Sequence, residues 1–436
     1  RDGSKGRDDS KGRDGSKRKD GDADGGALLV ERGGSAHLKK VTLTRNNAEG
    51  DGGAIANFGR VDIEDSKIED NHARENGGGV FNLGLLTVKD SKVDNNTAGK
   101  NGGGIANGRG DRDRDHDRNG HDGRDDRNDR NGRDGRDGRD GRGGDMNRVL
   151  DGRDKAGSVE IYKSHIEGNK ADRNGGGVFS SGGFVKIAGG AIKDNTACDN
   201  GGGVYAKDTS LDLDHVIVAK NHASKDGGGV YNADDEHRND KNNGKDDKDN
   251  GKDSWNGMNG KNDGRDGKDG RDDKDDKNGR DDKNGRDDKN DKDEHDNKSS
   301  ATIADSKIVD NTAGRFGGGI FNGEADVKLA EGFRNKNDHN GDHDDDRDRD
   351  GARLTLRDTE VKGNTALNGG GIFNNKGTIT LTKTHVTKNT ATDASKNHRV
   401  AGGILNNDGK VRLDDKSTVT NNDPTNCAGT VKDCFN

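Results

Sequence analysis

The feature of this chain that most limits its fold is a glycine triplet that keeps returning with a hydrophobic residue behind it. Gly-Gly-Gly, or its near match Gly-Gly-Ala, starts at Gly25, Gly52, Gly77, Gly102, Gly175, Gly201, Gly227, Gly317 and Gly369, with a degenerate copy at Gly402. Where copies follow one another without interruption the spacing is 25 to 27 residues. A fixed period of this size marks a solenoid, in which one repeat is one coil and cannot bury its apolar face alone.

The copy from Gly369 to Ala391, GGGIFNNKGTITLTKTHVTKNTA, contains three short apolar runs: Ile372-Phe373, then Ile379 with Leu381, then Val386. Each is too short for a helix and is broken by Gly or Asn, so strands are expected. Equivalent residues recur as Val61/Ile63 with Ile68, Leu86/Val88 with Val93, Val159/Ile161 with Ile166, and Leu211/Leu213 with Val216. Alternation places them on one face, the inside of the coil. The expected fold is all-β, a parallel β-helix of about ten three-strand coils; at ~4.8 Å per coil the stack is about 50 Å long.

Two asparagine series support that geometry. One closes the third run, as at Asn71, Asn96, Asn169, Asn195, Asn221, Asn311, Asn364 and Asn389; the other ends the first, as at Asn57, Asn82, Asn107, Asn232, Asn322, Asn374 and Asn406. Asn tolerates left-handed backbone angles and can form side-chain ladders between coils. Ala73, Ala98, Ala197, Ala223, Ala313, Ala366 and Ala391 follow the first series, where a small inward side chain fits a tight corner.

Composition is meaningful only when divided. The whole chain, 23% hydrophobic and 37% charged, resembles a disordered one. Residues 1–24, a charged tail, and three inserts at about 109–156, 234–298 and 330–351 consist almost wholly of Asp, Arg, Lys, Asn and Gly, and nearly all Ile, Val and Leu lie elsewhere. The helix region is thus 25–422, interrupted by inserts, and 423–436 is a C-terminal cap. All three inserts start after a first-run Asn and end before the second run, so they leave one corner; such insertions often mark a binding face. A strand at Val327-Lys328-Leu329 would blur the last boundary. Charges of both signs alternate within the inserts and the net charge is −8, which offers nucleic acid no extended basic field. The inserts read as solvated polyampholyte loops.

Cys427 and Cys434, seven apart in the terminal segment, are expected to form a disulfide and to indicate an oxidising compartment. Cys198 has no evident partner. No run of about 18 apolar residues is present, so no membrane span is expected. The chain starts at Arg1, and any signal peptide is expected to have been removed or to lie outside it.

The motifs GGGIFN…GTITLTKT…VTKNTA, GGGVFNLGLLTVKDSKVDNNTA and GGAI at 52–55 resemble the right-handed parallel β-helix repeats of secreted bacterial surface proteins, similar to the repeats of chlamydial polymorphic outer-membrane proteins. The resemblance covers about 25–422 without the inserts; the companion FxxN motif of those proteins is missing. It implies a secreted or cell-surface location and an adhesive role. The Cys-containing tail resembles the ends of β-helix proteins from Gram-positive secreting bacteria.

Several residue sets carry candidate chemistry. Asp20, Asp22, Asp24 and Glu31 match the spacing of an EF-hand calcium loop, although the preceding RDGSKRK is no helix and Gly25 to Leu28 are claimed by the first coil. The Asp-rich stretch Asp342–Asp350 could associate weakly with Ca²⁺; no other cofactor is implied. Arg109-Gly110-Asp111 is an integrin-type tripeptide inside a segment made of those residues. Phe81, Phe179, Tyr205, Tyr231, Phe321 and Phe373 follow the glycine triplets and form a stripe, either an aromatic stack between coils or a glycan-binding platform.

Outward positions change from coil to coil: Asp62/Glu64, Thr87, Glu160, Lys186, Asp212/Asp214. They supply no recognisable paired acid and base for glycoside hydrolysis or lyase chemistry. The 13 histidines show no zinc spacing. The expectation is a non-catalytic, structural or adhesive protein. Its charged inserts would touch ions, glycans, cell-surface or matrix components, or neighbouring subunits. The alternatives are a polysaccharide-active enzyme and a filament or matrix subunit that self-associates through solenoid ends.

Overall fold

A computed structural model describes residues 24–110, 156–234, 299–327, 351–394 and 399–435. The bulk of the three inserts and of the N-terminal tail therefore lies outside the described residues, as do Lys328 and Leu329. The described residues all belong to one compact unit. Among them there is no helix, and none long and apolar enough to cross a membrane. The named strands pair in parallel in three sheets of 11, 18 and 9 strands. The fold is a parallel β-helix.

The coil from Gly77 shows how one repeat makes one turn. Val80–Asn82 enters the first sheet, Leu85–Lys89 and Lys92–Asp94 run through the second, and Thr97–Ala98 forms a two-residue rung of the third. Val80, Leu86, Val88, Val93 and Ala98 point inward and are buried, while Thr87 and Lys89 point outward. In register above and below, Leu86 meets Val61 and Val159, and Val88 meets Ile63 and Ile161. Each such fully buried aliphatic side chain contributes roughly 1.5–3 kcal/mol.

The three apolar runs of each coil fall in two of the three sheets. The Val386 run does not form a sheet of its own: His385–Thr387 shares the second sheet with Thr378–Thr382. The third sheet is instead the short Thr-Ala pair, as in Thr390–Ala391. One left-handed residue between the two runs, such as Asp90 (φ 47°) or Lys383 (φ 47°), turns the chain, and both runs stay in one sheet. Side chains after the bend staple it: the Ser66 N–H donates to Ser91 Oγ at 3.0 Å, and Ser66 Oγ donates to the Glu64 carbonyl at 2.7 Å.

At the next corner the left-handed residue is Asp70 (φ 56°), not the Asn71 that follows. Asn71 is buried and needs its amide for the ladder: its Nδ2 donates to Asn96 Oδ1 (2.9 Å) and to the Leu43 carbonyl (3.0 Å). The asparagines of the first sheet form a second ladder, Asn57 to Asn82 at 2.7 Å and Asn82 to Asn107 at 2.9 Å. The middle glycine of each triplet sits where the backbone of the next coil leaves no room for a side chain. A Cβ on Gly103 would stand 2.5 Å from the Gly176 carbonyl oxygen.

Among the described residues, the last strand before each insert is in the first sheet, ending at Asn107, Asp234 and Glu324, and the next strand is in the second, starting at Ser158, Ser300 and Arg353. At the C-terminus, Cys427–Ala428 does more than cap the last coil. It adds a rung to the first sheet by pairing with Ile404–Leu405.

Candidate functional site

Strand alternation makes the outer face of the second sheet a set of columns. Asp62, Thr87, Glu160, Lys186 and Asp212 form one column in register, and Glu64, Lys89, Tyr162, Ala188 and Asp214 form its neighbour. A depression of about 570 Å³ opens there, lined among others by His37, Asp62, Glu64, Lys89, Glu160 and Tyr162. The structure thus brings together Asp62, Glu64, Thr87 and Glu160, which the sequence could only scatter over coils. It also adds Tyr162, which the sequence reading missed. The signal was present: Tyr162 follows inward Ile161 on the same alternating strand and so must face out.

The carboxylates in this depression have partners. Lys39 Nζ lies 3.0 Å from Glu64 Oε1, Arg60 Nε 3.1 Å from Asp62 Oδ2, and the Tyr162 hydroxyl donates to Glu160 Oε2 at 2.8 Å. The Lys39 hydrogen bond holds the Glu64 carboxyl below its ordinary value, and the bond to Glu160 raises the Tyr162 phenol. Lys89 Nζ stands 5.9 Å from the Tyr162 ring centre, a cation–π contact. The face therefore offers alternating charges and one aromatic ring, suited to polyhydroxylated or mixed-charge surfaces.

The six triplet-linked aromatics lie on the opposite side of the first-sheet strands from the main core, and they are buried. Phe179, Tyr205, Tyr231, Phe321 and Phe373 are stacked with ring centres 4.7–5.6 Å apart. Tyr205, the most accessible of the six, is only 8% exposed. Burial raises the Tyr231 phenol well above its ordinary value. The glycine turn closes over the row: a Cβ on Gly175 would stand 2.7 Å from Phe179 Cβ. A glycan platform needs exposed ring faces, and this ladder has none to offer; its rings pack coil on coil.

Of the calcium set, Asp24 and Glu31 lie among the described residues. Asp20 and Asp22 lie outside the described residues. Asp24 Oδ1 accepts the Asp51 N–H at 2.7 Å, and Arg109 Nη2 lies 3.8 Å from its other oxygen. Between Asp24 and the exposed Glu31 runs strand Leu28–Val30, paired with Ile55–Asn57, with Val30 buried in the core. An extended segment, at about 3.3 Å per residue, carries the two carboxylates apart and does not wrap them round one ion. The Asp342–Asp350 stretch lies outside the described residues.

The integrin-type tripeptide is likewise engaged, at least in part. Arg109 Nε lies 3.1 Å from Asp51 Oδ2, and its guanidinium sits 5.5 Å from the Phe81 ring centre; Asp111 lies outside the described residues. Cys427 and Cys434 are bonded, and Cys198 is an exposed free thiol.

No family model, no curated protein and no solved structure matches this chain. The parallel β-helix assignment therefore stands on strand pairing and register. What the chain does must be argued from its own surface.

Proposed function

We propose that this chain is a non-catalytic β-helix scaffold of the secreted or cell-surface environment, binding glycans or other extracellular surfaces weakly through the outer face of its second sheet. The observation that carries the reading is the ion-pairing of that face. Glu64 is held ionised by Lys39, Asp62 sits beside Arg60, and Glu160 accepts from Tyr162, so each carboxylate serves a neighbour. A hydrolytic acid needs a raised pKa, and Glu64 is shifted the other way. The Cys427–Cys434 bond supports an oxidising compartment. The likeness of the repeats to those of chlamydial polymorphic outer-membrane proteins supports adhesion, as an analogy of fold.

The experiment is a glycan-array screen of the full chain, paired with turnover assays on pectin and alginate. Salt-sensitive binding that falls in Lys89→Ala and Tyr162→Ala, with no sugar release, is the expected result. The 570 Å³ depression with Asp62 and Glu160 favours a second reading, a polysaccharide-active enzyme. Release of unsaturated or reducing ends, abolished by Glu160→Gln, would replace the first reading with that one.

A further inference from the structure

We propose that Asp214, His215 and Asp305 form a binding site for a borderline divalent transition-metal ion such as Zn²⁺. It lies on the bend of the second sheet, away from the depression around Tyr162. One ligand atom from each residue lies within 4.8 Å of the other two. An imidazole with two carboxylates is a donor set that Zn²⁺ and its neighbours accept, and its two negative charges balance a dication. Calcium, which takes six to eight oxygens, fits it poorly.

The fold itself brings the three together, although 90 residues of sequence separate His215 from Asp305. Both occupy the bend position of adjacent coils, with left-handed backbones (φ 55° and 48°), and the His215 N–H donates to the Ala304 carbonyl at 3.1 Å. Asp214, one residue earlier, pairs in register with Ala304 on one side and Ala188 on the other. Those methyl groups leave its carboxylate free to turn toward His215, whose Nδ1 already lies 2.9 Å from Asp214 Oδ1. Donors of a tetrahedral site with bonds of about 2.0–2.1 Å stand about 3.3 Å apart, so small rotamer changes close the set.

The surroundings leave room for the remaining ligands. In the coil below, the place beside His215 is Gly189, without a side chain. On the other side His215 and Asp305 border a groove of about 660 Å³, which also holds Lys307, Asp358, Lys383 and His385. That volume admits water as the fourth ligand. Of the groove's lysines, Lys383 faces Asp358 at 3.6 Å, and Lys307 is the cation left to compete.

The test titrates the full chain with Zn²⁺ against a chromophoric chelator, which reads tight equivalents above any weak binding by the charged inserts. His215→Asn and Asp305→Asn keep a residue type that adopts left-handed backbone, and Asp214→Asn changes an exposed strand position. Far-UV CD and melting without metal check each fold. The expected result is one tight equivalent, weakened at least tenfold in each variant and not displaced by equimolar Ca²⁺. No tight equivalent, or one that persists in all three variants, would overturn the proposal and leave an adventitious ion only.

Discussion

The Asn96 side-chain amide donates to Asn169 Oδ1 at 3.0 Å across 73 residues of chain, the same bond that Asn71 makes to Asn96 across 25. The ladder runs straight past an insert as though it were not there. Main-chain pairing does the same, since Leu86 meets Val159 as directly as it meets Val61.

Deleting residues 111–155 and joining Gly110 to Ala156 is therefore expected to leave the β-helix intact. Loop-closure cost changes only slowly with loop length. Far-UV CD should keep its strand signal, and the melting temperature should move by a few degrees at most. Global unfolding would show that the insert contributes to the core.

Gly103→Ala and Asn96→Ala should both destabilise, for different reasons. A Cβ at Gly103 would press on the backbone of Lys170 and Gly176 at 2.5 Å, where no flexible side chain can yield; about 1–3 kcal/mol or more is expected. Asn96→Ala leaves the buried Asn71 N–H and the Ile68 carbonyl without their 3.0 Å and 2.9 Å partners. Each orphaned group costs about 1–3 kcal/mol. Denaturant melts of the two variants check both figures, and Leu381→Asp, which puts a carboxylate in the core, should exceed either.

Three carboxyls point to an unusual response to acid. Burial raises Asp51, Asp226 and Asp94 above the ordinary 3.8, with Glu167 adding to the effect at Asp94. The folded state thus binds their protons more tightly than the unfolded chain, and each charge opposes folding at neutral pH. That penalty is relieved as pH falls through the raised folded pKa, and relief is complete below 3.8. Glu64 and Asp414, both partly exposed, are shifted down and act in the opposite sense. Asp51→Asn isolates the effect, because Asn76 and Asn101 already fill the equivalent ladder place. The variant should melt higher than the parent at pH 7, and the gap should close toward pH 3.8. An equal gap at both pH values would contradict the burial argument.

Reducing the Cys427–Cys434 bond should loosen one end of the helix only. The bond ties the last first-sheet rung, with Cys427 only 6% exposed beside Ile404, to the terminal segment. Closing a loop this short stabilises by about 2–3 kcal/mol in the chain-entropy account. Hydrogen exchange in a Cys434→Ser, Cys198→Ser variant should quicken around 400–428 and leave 80–110 unchanged.

What the sequence determined is whatever repeats with the coil. The glycine triplets and the alternation of Val61/Ile63 with Leu86/Val88 give a local rule, and stacking copies of one rule needs no long-range information. The inserts could be recognised for the same reason, as the places where the rule stops. Only the tertiary structure decided which strands share a sheet, since the strands on either side of a left-handed residue such as Asp90 stay in the same one. It also decided the fate of the aromatics: Phe179 and Tyr231 lie on the outward side of their strands yet are buried, because the glycine turn folds over them. The surface sets follow from register between coils. Tyr162 beside Lys89, and His215 against Asp305 across an insert, are neighbours only because parallel coils lie about 4.8 Å apart, a spacing that no distance along the chain encodes.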